Sequence, residues 1–427
     1  LREIIKSYVL AFLVIASLFQ SYYLAFGKPE FKPLQSTGDV QTTWNGSTKE
    51  LASLIEPQQI VLHFGNERHT VLGQNQFFFE ETFKKLTQRS FDAFKQIQAN
   101  SINWNQIRNS RSGFEVSFSS GIPVSILSDV LQIQGDFGEY LDFIKTIWIT
   151  TNAKGDAVKA YFVTKDNQYV FEATKVDFIV KDVEQIVGWG LALNQRNNYV
   201  WVNNSYYLPE KPISLNTYTY TYSEFTSKQI QSSLFVDPTT SRKLLNQQGV
   251  EIYTDGKRGL EIDRTNKWLI YSDPITVPES SSNLELNLQA AVKFVNLHGG
   301  WDGKFVLSEM PEDINQAFGF TEYVNGLALF GPNSYIKNNV EVAMKNGLVT
   351  NYERSNAQID TQKWNTVTNG EISGLTDLLA KNKEYLDSTE VEVIYPVYVL
   401  KYLENQIVEL KPQWAAKQVN GQVRLLQ

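Results

Sequence analysis

The sequence predicts an α+β fold in which one N-terminal transmembrane helix precedes several folded domains. Three observations predict it. Residues Ser7 to Phe26 run for twenty positions without a charge. Beyond them, stretches that alternate apolar and polar residues are interleaved with stretches in which apolar residues recur every three to four positions, the patterns of half-buried strands and amphipathic helices. The 427-residue chain is 42% hydrophobic and 20% charged, with 25 Phe, 21 Tyr and nine Trp. That is enough apolar surface for more than one core, and too little charge for a disordered chain.

No cysteine is present, which removes disulfides, thiolate metal sites and thiol nucleophiles together, so stability has to come from packing. The formal net charge is −7; residues 1–28 carry Arg2, Lys6 and Lys28 against Glu3, so this tail holds +2 and the remainder −9. An acidic body disfavours nucleic acid as a partner, and equally disfavours tight docking on an anionic bilayer surface.

At 1.5 Å rise per residue, the uncharged run from Ser7 crosses the ~30 Å hydrocarbon core of a bilayer once. Arg2 and Lys6 precede it, which places the tail in the cytoplasm and the later domains outside. Tyr8 stands near one interface and Tyr22, Tyr23 and Phe26 near the other, where amphipathic rings are favoured. Residues 1–27 therefore read as cytoplasmic tail and membrane helix. The rival is a cleaved signal peptide ending at Ala25 and Gly27, but its apolar region would be about 7–15 residues and this one is longer.

Residues 28–53, rich in Pro, Gly, Gln, Ser and Thr, read as a spacer. Residues 54–205 form a first α+β domain: strands at Gln59–Phe64, Phe114–Phe118 and Ile144–Thr150, a long helix over Phe77–Ala99, a hairpin around Asp166-Asn167, and a helix over Val176–Gly188. Residues 206–282 read as a β-rich middle domain with little helix, led by the alternating run Thr217–Tyr222 and by short strands around Asp255-Gly256 and Thr265-Asn266 turns. Residues 283–427 contain a weak internal repeat of an amphipathic helix followed by strands. The first helix is Leu284–Leu297, with strands over Gly303–Ser308, Gly319–Leu329, Asn339–Met344 and Leu348–Arg354. The second is Gly374–Leu386, with strands over Thr389–Leu403, Gln406–Ala416 and Val419–Leu426. Two packed helix-plus-sheet units are expected.

Chemistry is sparse. His63 and His69 are six apart and His298 stands alone, which matches no zinc template, so the first two read as a strand-end and a loop histidine. Gly299-Gly300-Trp301 reads as a helix stop. Ser334-Tyr335-Ile336-Lys337 has the S-x-x-K form of penicillin-recognising enzymes, yet it follows Gly331-Pro332-Asn333 between expected strands and lacks the companion triplets. Glu80-Glu81 and Glu390 with Glu392 lack a pocket, and Asp255-Gly256 and Asp302-Gly303 read as hairpin turns rather than calcium loops. No catalytic residue, cofactor site or metal site is expected.

Several stretches together carry a family likeness: Ile5-Lys6-Ser7 before the membrane helix; Leu234-Phe235-Val236-Asp237-Pro238, Ile252-Tyr253-Thr254-Asp255-Gly256 and Arg258-Gly259-Leu260; Gly299-Gly300-Trp301; Phe318-Gly319-Phe320 with Tyr323 and Gly326; and Ile394-Tyr395-Pro396-Val397-Tyr398 with Leu410-Lys411-Pro412-Gln413-Trp414. In this order, over nearly the whole length, the chain resembles the YycH (WalH) family, accessory regulators of the WalK (YycG) sensor histidine kinase in low-GC Gram-positive bacteria. The resemblance implies a three-domain ectodomain, a C-terminal domain similar to that of the partner regulator YycI, and action on the kinase chiefly through membrane helices. The kinase in turn controls cell-wall metabolism genes. Family members both restrain and promote the kinase, so the resemblance does not carry the sign. Two other classes compete: an anchored cell-envelope enzyme, supported by topology and the S-x-x-K string, and a module binding peptides or wall fragments through its C-terminal sheets.

Within the lipid bilayer the expected partner-binding face is a stripe. On a 3.6-residue helix Ser17, Gln20, Ser21 and Leu24 share a face with Leu13, and Ser17-x-x-x-Ser21 is a small-x-x-x-small pair that admits a second helix closely. Gln20 either forms an interhelical hydrogen bond or reaches interfacial water near Tyr22 and Tyr23.

Overall fold

Two β-sheets carry the architecture of the computed structural model, which describes residues 46–74, 77–134, 143–245, 250–274, 283–311, 317–331 and 340–427, together with Lys6, Leu13, Val14, Ala16 and Ser17. The chain divides into two compact units, Leu1–Val40 and Gln41–Gln427, and both sheets lie in the second. Among the described residues the first sheet has ten strands. Its centre is Gln59–Phe64, Ser112–Pro123, Phe143–Thr151, Val158–Thr164 and Tyr169–Val176. These strands pair antiparallel throughout, and Ile60, Leu62, Phe114, Val116, Ile147, Ile149 and Phe162 are buried from them. Helices Phe77–Thr87 and Val180–Trp189 cover one face, burying Phe79, Leu86, Val183 and Ile186.

The expected helix over Phe77–Ala99 is corrected: it ends at Thr87, and Ser90–Gln98 is a strand pairing antiparallel with Tyr169–Val176. The misleading signal was the three-residue spacing of Phe91 and Phe94. Ala93 between them adopts φ +56°, and the kinked strand brings both rings against Phe162, with centroids 5.2 and 5.3 Å away. A kinked strand thus mimics the spacing of a helix. The expected helix Val176–Gly188 likewise starts later, at Val180, because Val176 still belongs to the preceding strand.

The second sheet has fourteen strands among the described residues. Both helices of the predicted repeat form, Leu284–Leu297 and Leu375–Ser388. Most of the expected strands follow them, with two corrections: Gly319–Leu329 is a hairpin of Ala317–Val324 and Leu327–Phe330, turned at Asn325 and Gly326 at φ +48° and +79°, and Ala357–Thr368 is a strand that was not expected. Asn283 caps the first helix by accepting the Leu286 amide at 2.7 Å. The two expected helix-plus-sheet units both form, and their strands join edge to edge in one sheet rather than packing face to face, where Leu327–Phe330 pairs parallel with Val391–Tyr402. Strands on both sides of position 282 also belong to this sheet, since Trp268–Ser272 pairs with Leu348–Ser355 and Thr217–Glu224 lies between Ile407–Gln418 and Ala357–Thr368. A short helix at Ser227–Leu234 interrupts the expected β region, started by a reciprocal cap between Thr226 and Gln229. Asp302-Gly303 is not a hairpin turn: Asp302 pairs with buried Arg354 at 2.8 Å on the way into strand Lys304–Glu309.

The hairpin Tyr199–Val202 and Tyr206–Pro209 joins the two sheets. Successive side chains of a strand point to opposite faces. Tyr206 and Leu208 accordingly enter the core that contains Leu378, Leu386, Ile394 and Trp414, while Tyr207 enters a polar cluster on the first sheet. There Arg108 Nε donates to the Tyr207 hydroxyl at 2.8 Å, the hydroxyl bonds to Glu115, and the guanidinium lies 3.8 Å from the centroid of Trp201. His63 and His69 face each other across their hairpin, Nδ1 to Nδ1 at 3.0 Å, and His63 stacks on Trp148. Both histidines are strand residues with buried rings, which corrects the loop assignment of His69.

Burial and the Arg108 charge hold His69 down at about 4, and burial, His69 and Arg108 hold His63 well below the usual histidine range. Burial also pushes the Glu115 carboxyl up to about 7, against the opposing pull of Arg108 and Tyr207. A carboxyl whose folded value is raised costs stability as pH climbs from its unfolded value through its folded one. Glu115→Gln removes that cost. The melting temperature of the variant should therefore gain on wild type as pH rises from 5 to 8, and a constant difference would contradict this electrostatic assignment. Ala93→Gly should stabilise the fold by about 0.5–1 kcal/mol in urea titration, since glycine adopts positive φ without the Cβ clash, less its extra unfolded-state entropy. A loss of stability would remove the strain attributed to Ala93.

Candidate functional site

Of the five stripe positions, Leu13 and Ser17 are described, both helical and exposed; Gln20, Ser21 and Leu24 lie outside the described residues, as does most of the run Ser7–Phe26. Among the described residues no helix is long and apolar enough to cross a membrane. The S-x-x-K string at Ser334–Lys337 also lies outside the described residues.

Several of the remaining chemistry-bearing residues are engaged within the fold, while Glu80 and Glu390 are exposed. His298 ends the helix Leu284–Leu297 and its Nδ1 contacts the Ser233 carbonyl, with Gly299 and Gly300 next in the chain at φ +120° and +69°. This is the expected helix stop. Glu81 pairs with Lys84 on its own helix at 3.5 Å. Glu392 is no solvated strand carboxylate: it pairs with Lys145 of the first sheet at 2.9 Å. Among the described residues no group of three or more His, Asp or Glu side chains is placed to hold a metal ion.

A concave feature with convergent polar groups lies where the two sheets meet. Lys145 Nζ from the first sheet and Lys417 Nζ from the second both donate to the Ser119 carbonyl, at 2.8 and 2.6 Å. Two ammonium groups on one oxygen are tolerable because carboxylates stand beside them, Glu392 on Lys145 and Glu309 lining the same cavity as Lys417. Burial lowers the Lys145 ammonium, and Glu392 opposes the shift. Tyr323 and Tyr395 also line this space, and burial raises both phenols above their ordinary range. The cavity measures about 30 Å³, room on the order of one water rather than a substrate. It is a polar seam between sheets.

Sequence reasoning missed this seam and the Arg108–Tyr207–Glu115 cluster. A signal existed in each case: Glu115 stands between Phe114 and Val116, and Lys145 beside Ile144, each the one charged residue of its strand. A charge in such a strand requires a partner when buried, but the partners lie on elements far away in sequence, and nothing local names them.

Comparison with known proteins places this architecture. The family model described as YycH protein, N-terminal domain, matches residues 3–188, and that described as YycH protein, C-terminal domain, matches residues 203–426. The chain is 22% identical to the two-component system WalR/WalK regulatory protein YycH of Bacillus subtilis (strain 168), an alignment covering 99% of this chain and 96% of that protein. The crystal structure of YycH from Bacillus subtilis superposes with a TM-score of 0.70 at 18% identity, covering 89% of this chain and 98% of that one, so the fold is shared. With family models matched on both sides of residue 200 and the shared fold, this chain belongs to the YycH family.

Proposed function

We propose that the chain is a non-catalytic, membrane-anchored regulator of a WalK (YycG)-like sensor histidine kinase that controls cell-wall metabolism, acting through its transmembrane helix together with a YycI-like single-span partner. The observation that carries this reading is the full-length similarity to a protein named for regulating the WalR/WalK system. The non-catalytic part rests on the use made of reactive side chains: the histidines, Glu115, Arg354 and the seam lysines lie in internal pairs and clusters. In this reading the folded unit that begins at Gln41 lies outside the membrane, and the tail lies in the cytoplasm.

The mechanism assigned to the helix is lateral association in the bilayer. Ser17 and Ser21 present little bulk, so a neighbouring helix can approach, and the Gln20 carboxamide finds its hydrogen bond on that helix rather than in lipid. Such a bond is worth about 1 kcal/mol, roughly fivefold in association. Ser17→Leu, Gln20→Leu and Ser21→Leu should each weaken control of a kinase-dependent reporter at matched protein levels, while Val14→Leu should leave it intact. If the three behave like Val14→Leu while deletion of the outer domains abolishes control, the signal passes outside the membrane and the helix mechanism is wrong.

A further inference from the structure

The expected spacer does not run to residue 53: its described part is anchored, and Gly46–Lys49 attaches far away in sequence. Ser47 forms an antiparallel bridge with Trp301, 254 positions later, its amide donating to the Trp301 carbonyl at 2.8 Å and its carbonyl accepting the Trp301 amide at 2.9 Å. Asn296 clamps the same segment: its Oδ1 accepts from the Lys49 amide at 3.0 Å and from Trp301 Nε1 at 2.8 Å, while its Nδ2 donates to the Lys49 carbonyl at 2.9 Å. Lys49 Nζ donates to the Gly303 carbonyl at 2.8 Å. Backbone meets backbone here. A Cβ on Gly46 would fall 2.2 Å from the Gly299 oxygen, and one on Gly300 would fall 2.8 Å from the Gly46 carbonyl carbon.

The seat is tied to the second sheet. The Gly300 carbonyl accepts from Arg354 Nη1 at 2.9 Å, and Arg354, 2% exposed, pairs with Asp302 at 2.8 Å from strand Leu348–Ser355. The segment itself is lightly held. Gly46–Glu50 buries no large apolar side chain, whereas Leu54 and Ile55 just beyond are fully buried. A stretch held by a few hydrogen bonds without apolar burial opens locally at low cost, independently of the core.

We propose that Gly46–Lys49 is a releasable strap whose seating on Asn296 and the Gly299–Trp301 turn couples the membrane-proximal chain to the C-terminal sheet, so that seated and released states differ in regulatory output. The inference rests on the regulator reading above and adds the element that would carry a signal between membrane and outer domains. Tension on the spacer would lift the strap at Gly46 without unfolding the chain beyond Leu51, and the Gly300–Arg354 contact would pass the change into the sheet.

The test uses the full chain in lipid nanodiscs for hydrogen exchange and in cells for a kinase-dependent reporter, comparing wild type, Gly46→Ala, Asn296→Ala and cells lacking the chain. Each variant should speed exchange at the amides of Ser47, Lys49 and Trp301 by roughly tenfold or more, leave Val391–Tyr402 protected, and move reporter output toward that of cells lacking the chain. Gly46→Ala decides the matter should Asn296→Ala loosen its own helix. Strap amides that stay protected, or faster strap exchange with unchanged reporter output, overturn the strap. Equal output from wild type and from cells lacking the chain overturns the regulator reading instead, which the exchange data alone would not reveal.

Discussion

The two sheets of this cysteine-free protein are stitched by the alternation of one short strand, Tyr206–Pro209. Because neighbouring side chains face opposite ways, Tyr206 and Leu208 are committed to the core under helix Leu375–Ser388 while Tyr207 is committed to Arg108 and Glu115 on the first sheet. A shift of one residue would exchange these environments and place a phenol meant for a buried charge into a hydrocarbon core. Ser205 adds hydrogen bonds to the Val391 and Glu392 carbonyls beside it. Lys145 and Lys417 reinforce the same junction from the two sides.

This arrangement bears directly on function. An enzyme keeps polar groups incompletely satisfied at an accessible pocket, ready for substrate. Here the buried histidines and several buried charges are engaged between elements of the fold: His63 stacks on Trp148 and faces His69, Arg108 lies among aromatic rings, and Lys145 and Lys417 bond across a seam. That use suits the proposed role of a protein that acts by contact. Membership of the YycH family agrees with that physical reading.

Legibility tracked the range of the forces involved. Helices Leu284–Leu297 and Leu375–Ser388 were readable because 3.6-residue periodicity is local, and most of the strands after them because alternation is local too. Strand order was not readable: Thr217–Glu224 sits beside Ile407–Gln418 through pairings as distant in sequence as Tyr218 with Leu410, and no turn residue encodes them. The expected pair of packed units merged into one sheet for the same reason, since edge-to-edge pairing and face packing use the same alternating pattern. The helix Ser227–Leu234 could have been found from its Thr226–Gln229 box, whereas Ser90–Gln98 could not, because Ala93 at positive φ leaves no mark in composition. The stripe of Leu13, Ser17, Gln20, Ser21 and Leu24 is a pattern of the sequence whose role is part of the proposal, and its proposed partners come only from family likeness.

The central claim is that this chain works as part of a membrane complex with a sensor kinase. The most direct measurement is gentle detergent extraction of the tagged full chain from its own cells, then affinity capture and quantitative mass spectrometry. The account predicts enrichment of a histidine kinase and a second single-span protein, both reduced by Gln20→Leu. Capture of the chain alone, or of soluble envelope proteins with no kinase, would contradict it.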